Sequence, residues 1–91
     1  MLINWTRVQE LRAEIGDDGF AEVVAMFLDE SDAVIARAGI GLTPEDLHFL
    51  RGAALNLGFA ELAEACTAAG DPAMLAALYQ SSKANLLAEA T

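Results

Sequence analysis

Cysteine and histidine each occur once in this chain of 91 residues, as Cys66 and His48. A lone cysteine forms no internal disulfide, which fits a reducing compartment, and a cytoplasmic location is expected. One histidine and one cysteine also leave no His/Cys metal site to be assembled within the chain, so no metal and no cofactor are expected on it. Cations are scarce: five Lys and Arg stand against fourteen Asp and Glu, a formal charge of −9. Such a surface repels phosphate backbones and anionic bilayers, which argues against nucleic acid and membrane partners. The longest uncharged stretch, Pro72–Ser82, has eleven residues, against roughly 20 for a membrane span. The opening MLINWTRVQELRAE has neither the basic cluster nor the apolar run of a signal peptide. No glycine-rich phosphate loop, internal repeat, linker or low-complexity run interrupts the chain, and a single domain over residues 1–91 is expected.

Val and Ile are also few, eight together, whereas Ala and Leu supply thirty-two residues. Ala and Leu lose little freedom in a helix and β-branched residues lose more, so the class is all-α. Punctuation divides the chain into five helical pieces. The first runs from Asn4 to Ile15 and stops at Gly16, after which Asp17 or Asp18 can cap the next. Phe20, Val23, Val24, Phe27 and Leu28, extended by Ser31 and Val34 or Ile35, recur at spacings of three and four. That stripe predicts an amphipathic helix to about Gly39. Thr43-Pro44-Glu45-Asp46 is a cap, a first-position proline and two first-turn acids, opening a third helix to Leu57 before Gly58. A fourth is expected over residues 60–69, stopping at Gly70. Asp71-Pro72 then opens a last one to about Ala90, with Leu75, Leu78, Tyr79, Leu86 and Leu87 on its apolar side. Short connections favour antiparallel neighbours, hence an antiparallel up-and-down four-helix bundle with a short extra N-terminal helix laid on it.

Few side chains here can do chemistry. Ser31, Ser81 and Ser82 lie far from His48 in sequence with nothing to build a triad, and the carboxylates read as solvated helix faces. Cys66, among alanines, reads as a small buried apolar residue, and Trp5 as the anchor of the N-terminal helix. His48 repays a helical-wheel reading. Arg51, Gly52 and Leu55 fall within about 60° of it, whereas Leu50, Ala54 and Leu57 form the opposite, core-facing set. Gly52 is out of place, since mid-helix glycine costs about 1 kcal/mol relative to alanine. Either it is incidental, or another backbone or another protein must approach closely beside His48.

The run His48-Phe49-Leu50-Arg51-Gly52-Ala53-Ala54-Leu55-Asn56-Leu57-Gly58 closely resembles the signature of histidine-containing phosphotransfer (HPt) domains, H-x-L-K-G-[SA]-[SA]-x-x-[LI]-G. Upstream, Ile15-Gly16-Asp17-Asp18 and Phe27-Leu28-Asp29-Glu30 are similar to the family's glycine-acid turn and F-L-x-E helix, and Leu62 and Ala63 suit the helix that follows. The resemblance implies a helical bundle that carries a phosphoryl group between aspartates of receiver domains in a multistep phosphorelay. It implies that His48 is the phosphoryl acceptor, that Arg51 stands for the usual lysine and balances the phosphate, and that Gly52 gives the receiver clearance. Leu55, Phe49 and Glu45 are the expected binding residues around it. The implied partners are response-regulator receiver domains and a hybrid histidine kinase, with Mg²⁺ on the receiver and no ATP site on this chain. It would not be an enzyme by itself, and a monomer is expected over a dimer.

Two departures from the family pattern stand out. The glutamine that many members place on the neighbouring helix is missing from residues 60–69. The spacing from Glu30 to His48 and the segment around Thr67–Asp71 are each shorter than usual, trims that fall at one end of an antiparallel bundle. They leave His48 near the N-terminal end of its helix, where the dipole favours phosphate. The alternative reading is a non-catalytic HPt-like interaction module that binds a signalling protein without carrying phosphate. The dimerisation region of a kinase needs a long helical hairpin and an ATP-binding domain, and a metabolic enzyme needs a substrate pocket; neither pattern is present.

Overall fold

A computed structural model describes residues 1–68 and 71–90, and every regular element among them is helical. Helix α1 spans Trp5–Ile35, α2 Pro44–Leu57, α3 Ala60–Thr67 and α4 Pro72–Ala90, with a 3₁₀ turn at Ala38–Ile40. Helix α2 packs on α1 and α3, α3 on α4, and α4 returns to α1. None of these helices is long and apolar enough to cross a membrane.

The punctuation explains most boundaries and mistakes one. Helix α1 is two helical stretches that meet at Gly16 as expected: that residue alone leaves helical geometry, at φ 78° and ψ 167°, and the second stretch begins at once. A glycine tolerates that positive φ, so a single residue breaks the helical run without a loop. Asp17 serves no cap there and pairs with Arg12 at 3.6 Å. Helix α1 then stops at Ile35, short of Gly39, and the chain tightens into the 3₁₀ turn. Helix α2 starts and stops where expected. The Thr43 hydroxyl accepts from the Asp46 amide, the Asp46 carboxylate accepts from the Thr43 amide, and Gly58 ends the helix at φ 81°. Helix α3 ends at Thr67; Gly70, its expected stop, lies outside the described residues.

The interior is built from Phe20, Val24, Leu28, Val34 and Ile35 of α1, Leu50, Ala54 and Leu57 of α2, Leu62 and Cys66 of α3, and Leu75, Tyr79 and Leu86 of α4, with Phe59 between α2 and α3. Each large side chain of this set contributes about 1.5–3 kcal/mol by leaving water. The Phe59 and Tyr79 rings meet edge to face, centroids 6.4 Å apart, the arrangement their quadrupoles favour. Leu87, expected on the apolar side of α4, is 42% exposed, while Ser82 is fully buried and satisfies itself on the Leu78 carbonyl at 2.7 Å.

Trp5 is not the anchor of the N-terminal arm; it is 38% exposed, and Ile3, Val8 and Leu11 are buried instead. The arm is tied down by backbone. The Asn4 amide donates to the Gly58 carbonyl at 2.7 Å, and the Arg7 Nε–H to the Asn56 carbonyl at 3.3 Å. Those bonds seat the start of α1 on the turn between α2 and α3, and so fix the C-terminal end of the helix that carries His48.

Candidate functional site

His48 is the fifth residue of α2, one turn inside the Thr43 cap, and its side chain is exposed. Leu50, Ala53, Ala54 and Leu57 turn into the core, as the helical period requires, leaving Glu45, His48, Arg51 and Leu55 outside. Leu55 is 50% exposed, so the outer face carries a large apolar side chain beside the imidazole. Phe49 is half-buried and packs against the core from the rim of that face. The sequence-predicted residues therefore share one helix face, with Phe49 at its edge.

The imidazole of His48 has no hydrogen-bond or ion-pair partner among the described residues, and nothing on α3 reaches it in place of the missing glutamine. Arg51 is held differently. Its Nε–H donates to the Thr67 hydroxyl at 2.9 Å, and that hydroxyl donates in turn to the Ala63 carbonyl at 3.2 Å. Its charge is felt beneath it: burial pushes the Cys66 thiol above its ordinary value, against a smaller opposing pull from Arg51. Buried and poor in thiolate, Cys66 is the inert residue expected of it.

What Arg51 lacks is a carboxylate. Arg7 pairs with Glu14 at 3.0 Å, Arg12 with Asp17 at 3.6 Å, Arg37 with Asp46 at 2.6 Å and Lys83 with Asp32 at 2.9 Å. Among the described residues Arg51 is the one basic side chain with no acidic partner, in a chain of fourteen carboxylates. Gly52 is equally unconstrained from within. A Cβ built on it meets nothing within 4 Å, so no neighbouring element of this fold requires the glycine.

Two features escape sequence reasoning. A groove of about 640 Å³ lies between α1 and α4, is lined by residues such as Phe20, Leu28 and Leu87, and includes no residue of the His48 face. At its edge Asp32 gathers Tyr79 and Lys83: the phenol donates to the Asp32 carboxylate and to the Leu28 carbonyl, and Lys83 donates to both carboxylate oxygens. The Tyr79 hydrogen bond, then Lys83, holds the Asp32 carboxyl below its ordinary range against a partial opposing effect of burial. Burial above all, then Asp32, pushes the Tyr79 phenol up. No three His, Cys, Asp or Glu side chains among the described residues converge as metal ligands.

Searches against protein-family models, curated proteins and solved structures found no match to this chain.

Proposed function

We propose that this chain is a histidine phosphotransfer protein of the HPt type, which takes a phosphoryl group from a receiver-domain aspartate onto His48 and passes it to another receiver. The observation that carries the reading is Arg51: a cation one turn from an exposed histidine and left without a carboxylate in a protein of net charge −9. A dianionic phosphoryl group on the ring supplies the missing partner. The fold that goes with this reading is an antiparallel up-and-down four-helix bundle, made of α1 beyond Gly16, α2, α3 and α4, with the arm before Gly16 as the extra N-terminal helix. Short connections and the pairwise packing of neighbouring helices support it.

The chemistry asks little of this chain. A ring nitrogen of His48 attacks the phosphorus of the aspartyl phosphate, and the bond to the carboxyl oxygen breaks. The aspartate leaves as carboxylate, and the proton of the other ring nitrogen passes to solvent, which an exposed imidazole allows. Transfer onward is the reverse step on a second receiver. Mg²⁺ belongs to the receiver, so this protein needs neither metal nor ATP and is a phosphocarrier that shares its partner's catalytic machinery. Gly52 leaves room for the receiver's active site, Leu55 and Phe49 offer it apolar surface, and Glu45 lies at the edge of the same face. The proposed partners are receiver domains and a hybrid histidine kinase, met in the cytoplasm by a monomer.

Incubation with a phosphorylated receiver is expected to leave an acid-labile, base-stable label on this protein, and His48→Gln is expected to abolish it. Label that survives His48→Gln, or no label from any receiver of the same organism, overturns the reading. One observation favours the alternative of a docking module that carries no phosphate: no group among the described residues makes a hydrogen bond to the His48 ring. Such a module binds a receiver undiminished after His48→Ala and never shows phosphohistidine.

A further inference from the structure

Arginines in an acidic protein ordinarily find carboxylates, and a bidentate carboxylate pair is the strongest exposed contact a guanidinium makes. Arg51 is bound instead by a neutral hydroxyl on the neighbouring helix, Nε to the Thr67 oxygen at 2.9 Å. The hydroxyl is itself fixed, because its proton is committed to the Ala63 carbonyl at 3.2 Å, which leaves its lone pairs for Arg51. This arrangement restrains the guanidinium through one of its five N–H groups and leaves the other four without a hydrogen-bond partner among the described residues. It also leaves the positive charge whole, where a carboxylate at the same place would neutralise it.

Building on the proposed function, we infer that Thr67 is a positioning residue for phosphoryl transfer: it holds the Arg51 guanidinium in place for the phosphoryl group on His48 without cancelling its charge. Arg51 and His48 are three apart on α2, which sets their Cβ atoms about 5–6 Å from one another. A long side chain at that distance has many rotamers that point away from the ring. The tether to α3 removes much of that freedom before phosphate arrives, so less is lost when the anion is bound. Thr67 achieves this from the last residue of α3, its hydroxyl bonded to Arg51 and the Ala63 carbonyl rather than to His48.

The test compares two electrophiles on the purified full chain, whose single histidine makes both reactions clean to read. With phosphoramidate, a ring nitrogen of His48 attacks phosphorus and the donor's P–N bond breaks. The departing nitrogen leaves as ammonium, with the imidazole proton accounted for in that ion and in solvent exchange. Diethyl pyrocarbonate is uncharged, and it acylates the same ring with release of ethanol and carbon dioxide.

Thr67→Val keeps the branched shape and removes the hydroxyl. It is expected to slow phosphorylation by about threefold to tenfold, the effect of one ordinary hydrogen bond. The acylation rate is expected to stay unchanged and Thr67→Ser to restore phosphorylation. In an Arg51→Ala background Thr67→Val is expected to have no additional effect, because the residue acts through Arg51. Wild-type phosphorylation in Thr67→Val, equal slowing with both electrophiles, or an undiminished effect in the Arg51→Ala background each overturns the inference. Failure of a phosphorylated receiver to label His48 strikes the proposed function instead, and the phosphoramidate comparison does not depend on that outcome.

Discussion

The two glycines of α2 answer to different demands. Gly58 is buried at the helix's end, at φ 81°, and a Cβ there would lie 2.7 Å from the Asn4 backbone oxygen. Gly52 is helical, and a Cβ there meets open space. One glycine is required by the protein's own packing; the other is required by no neighbouring group among the described residues. The same contrast separates the polar groups. Asp32, Tyr79 and Lys83 satisfy one another at the seam of α1 and α4, whereas among the described residues His48 stands without a hydrogen-bond partner and Arg51 leans on a hydroxyl. Groups that complete one another hold a fold together. Groups left incomplete on one face are available to something outside it.

The contrast breaks most visibly at Gly58. Gly58→Ala must accept both left-handed backbone and a close approach to backbone that cannot swing aside, and the Asn4 amide bond to the Gly58 carbonyl is disturbed with it. We expect a loss of about 2–4 kcal/mol of stability, read from urea unfolding midpoints. A loss near zero would mean that the N-terminal arm is not seated on the turn between α2 and α3.

Next in size is the seam. Tyr79→Phe removes the one O–H that the Asp32 carboxylate and the Leu28 carbonyl share, at about 1–2 kcal/mol. Its pH dependence is the sharper signature. The Asp32 carboxyl is held low when folded, so its contribution is present above the unfolded-state value near pH 4 and fades as the pH falls through the folded one. The phenol is held high, so its contribution is complete below about pH 10 and declines as the pH rises past that, where only the unfolded chain ionises. Unfolding midpoints measured across pH should therefore show a smaller alkaline decline in Tyr79→Phe, the remainder coming from the buried Cys66 thiol, and a smaller acid decline. Midpoints that keep the wild-type profile would show that the Tyr79 hydrogen bond to Asp32 contributes nothing.

What could be read from sequence follows the same division between near and far. Helix α2 was legible at both ends because Thr43, Pro44, Asp46 and Gly58 act on the backbone within a few residues of themselves. The end of α1 was not, since Ala36 and Ala38 carry no local stop signal and the chain turned before Gly39. Leu87, expected on the apolar side, is exposed because only the neighbouring helices decide which side of α4 is closed. The Asp32–Lys83 pair joins residues 51 positions apart and the Arg51–Thr67 bond residues 16 apart, and no periodicity announces either. The His48 face was legible for the opposite reason. Its residues lie on one helix at turn spacing, so the period alone brings them together.

The smallest expected change in stability is the most informative about that face. Gly52→Ala introduces a methyl group into open space in a helix interior, and alanine is the better helix former by up to about 1 kcal/mol. A protein selected for stability alone gains from that substitution. If the glycine is kept for a partner, the methyl must obstruct docking, and a misfit of about 1–3 kcal/mol at a packed contact slows transfer from a phosphorylated receiver by roughly tenfold. Phosphoramidate, which needs no such clearance, should phosphorylate His48 in Gly52→Ala at the wild-type rate. A protein that is more stable, reacts normally with the small donor and is slow with the receiver locates the reason for Gly52 outside the chain. Were transfer from the receiver equally fast, Gly52 would be an incidental glycine, and the distinction between the two glycines would reduce to Gly58 alone.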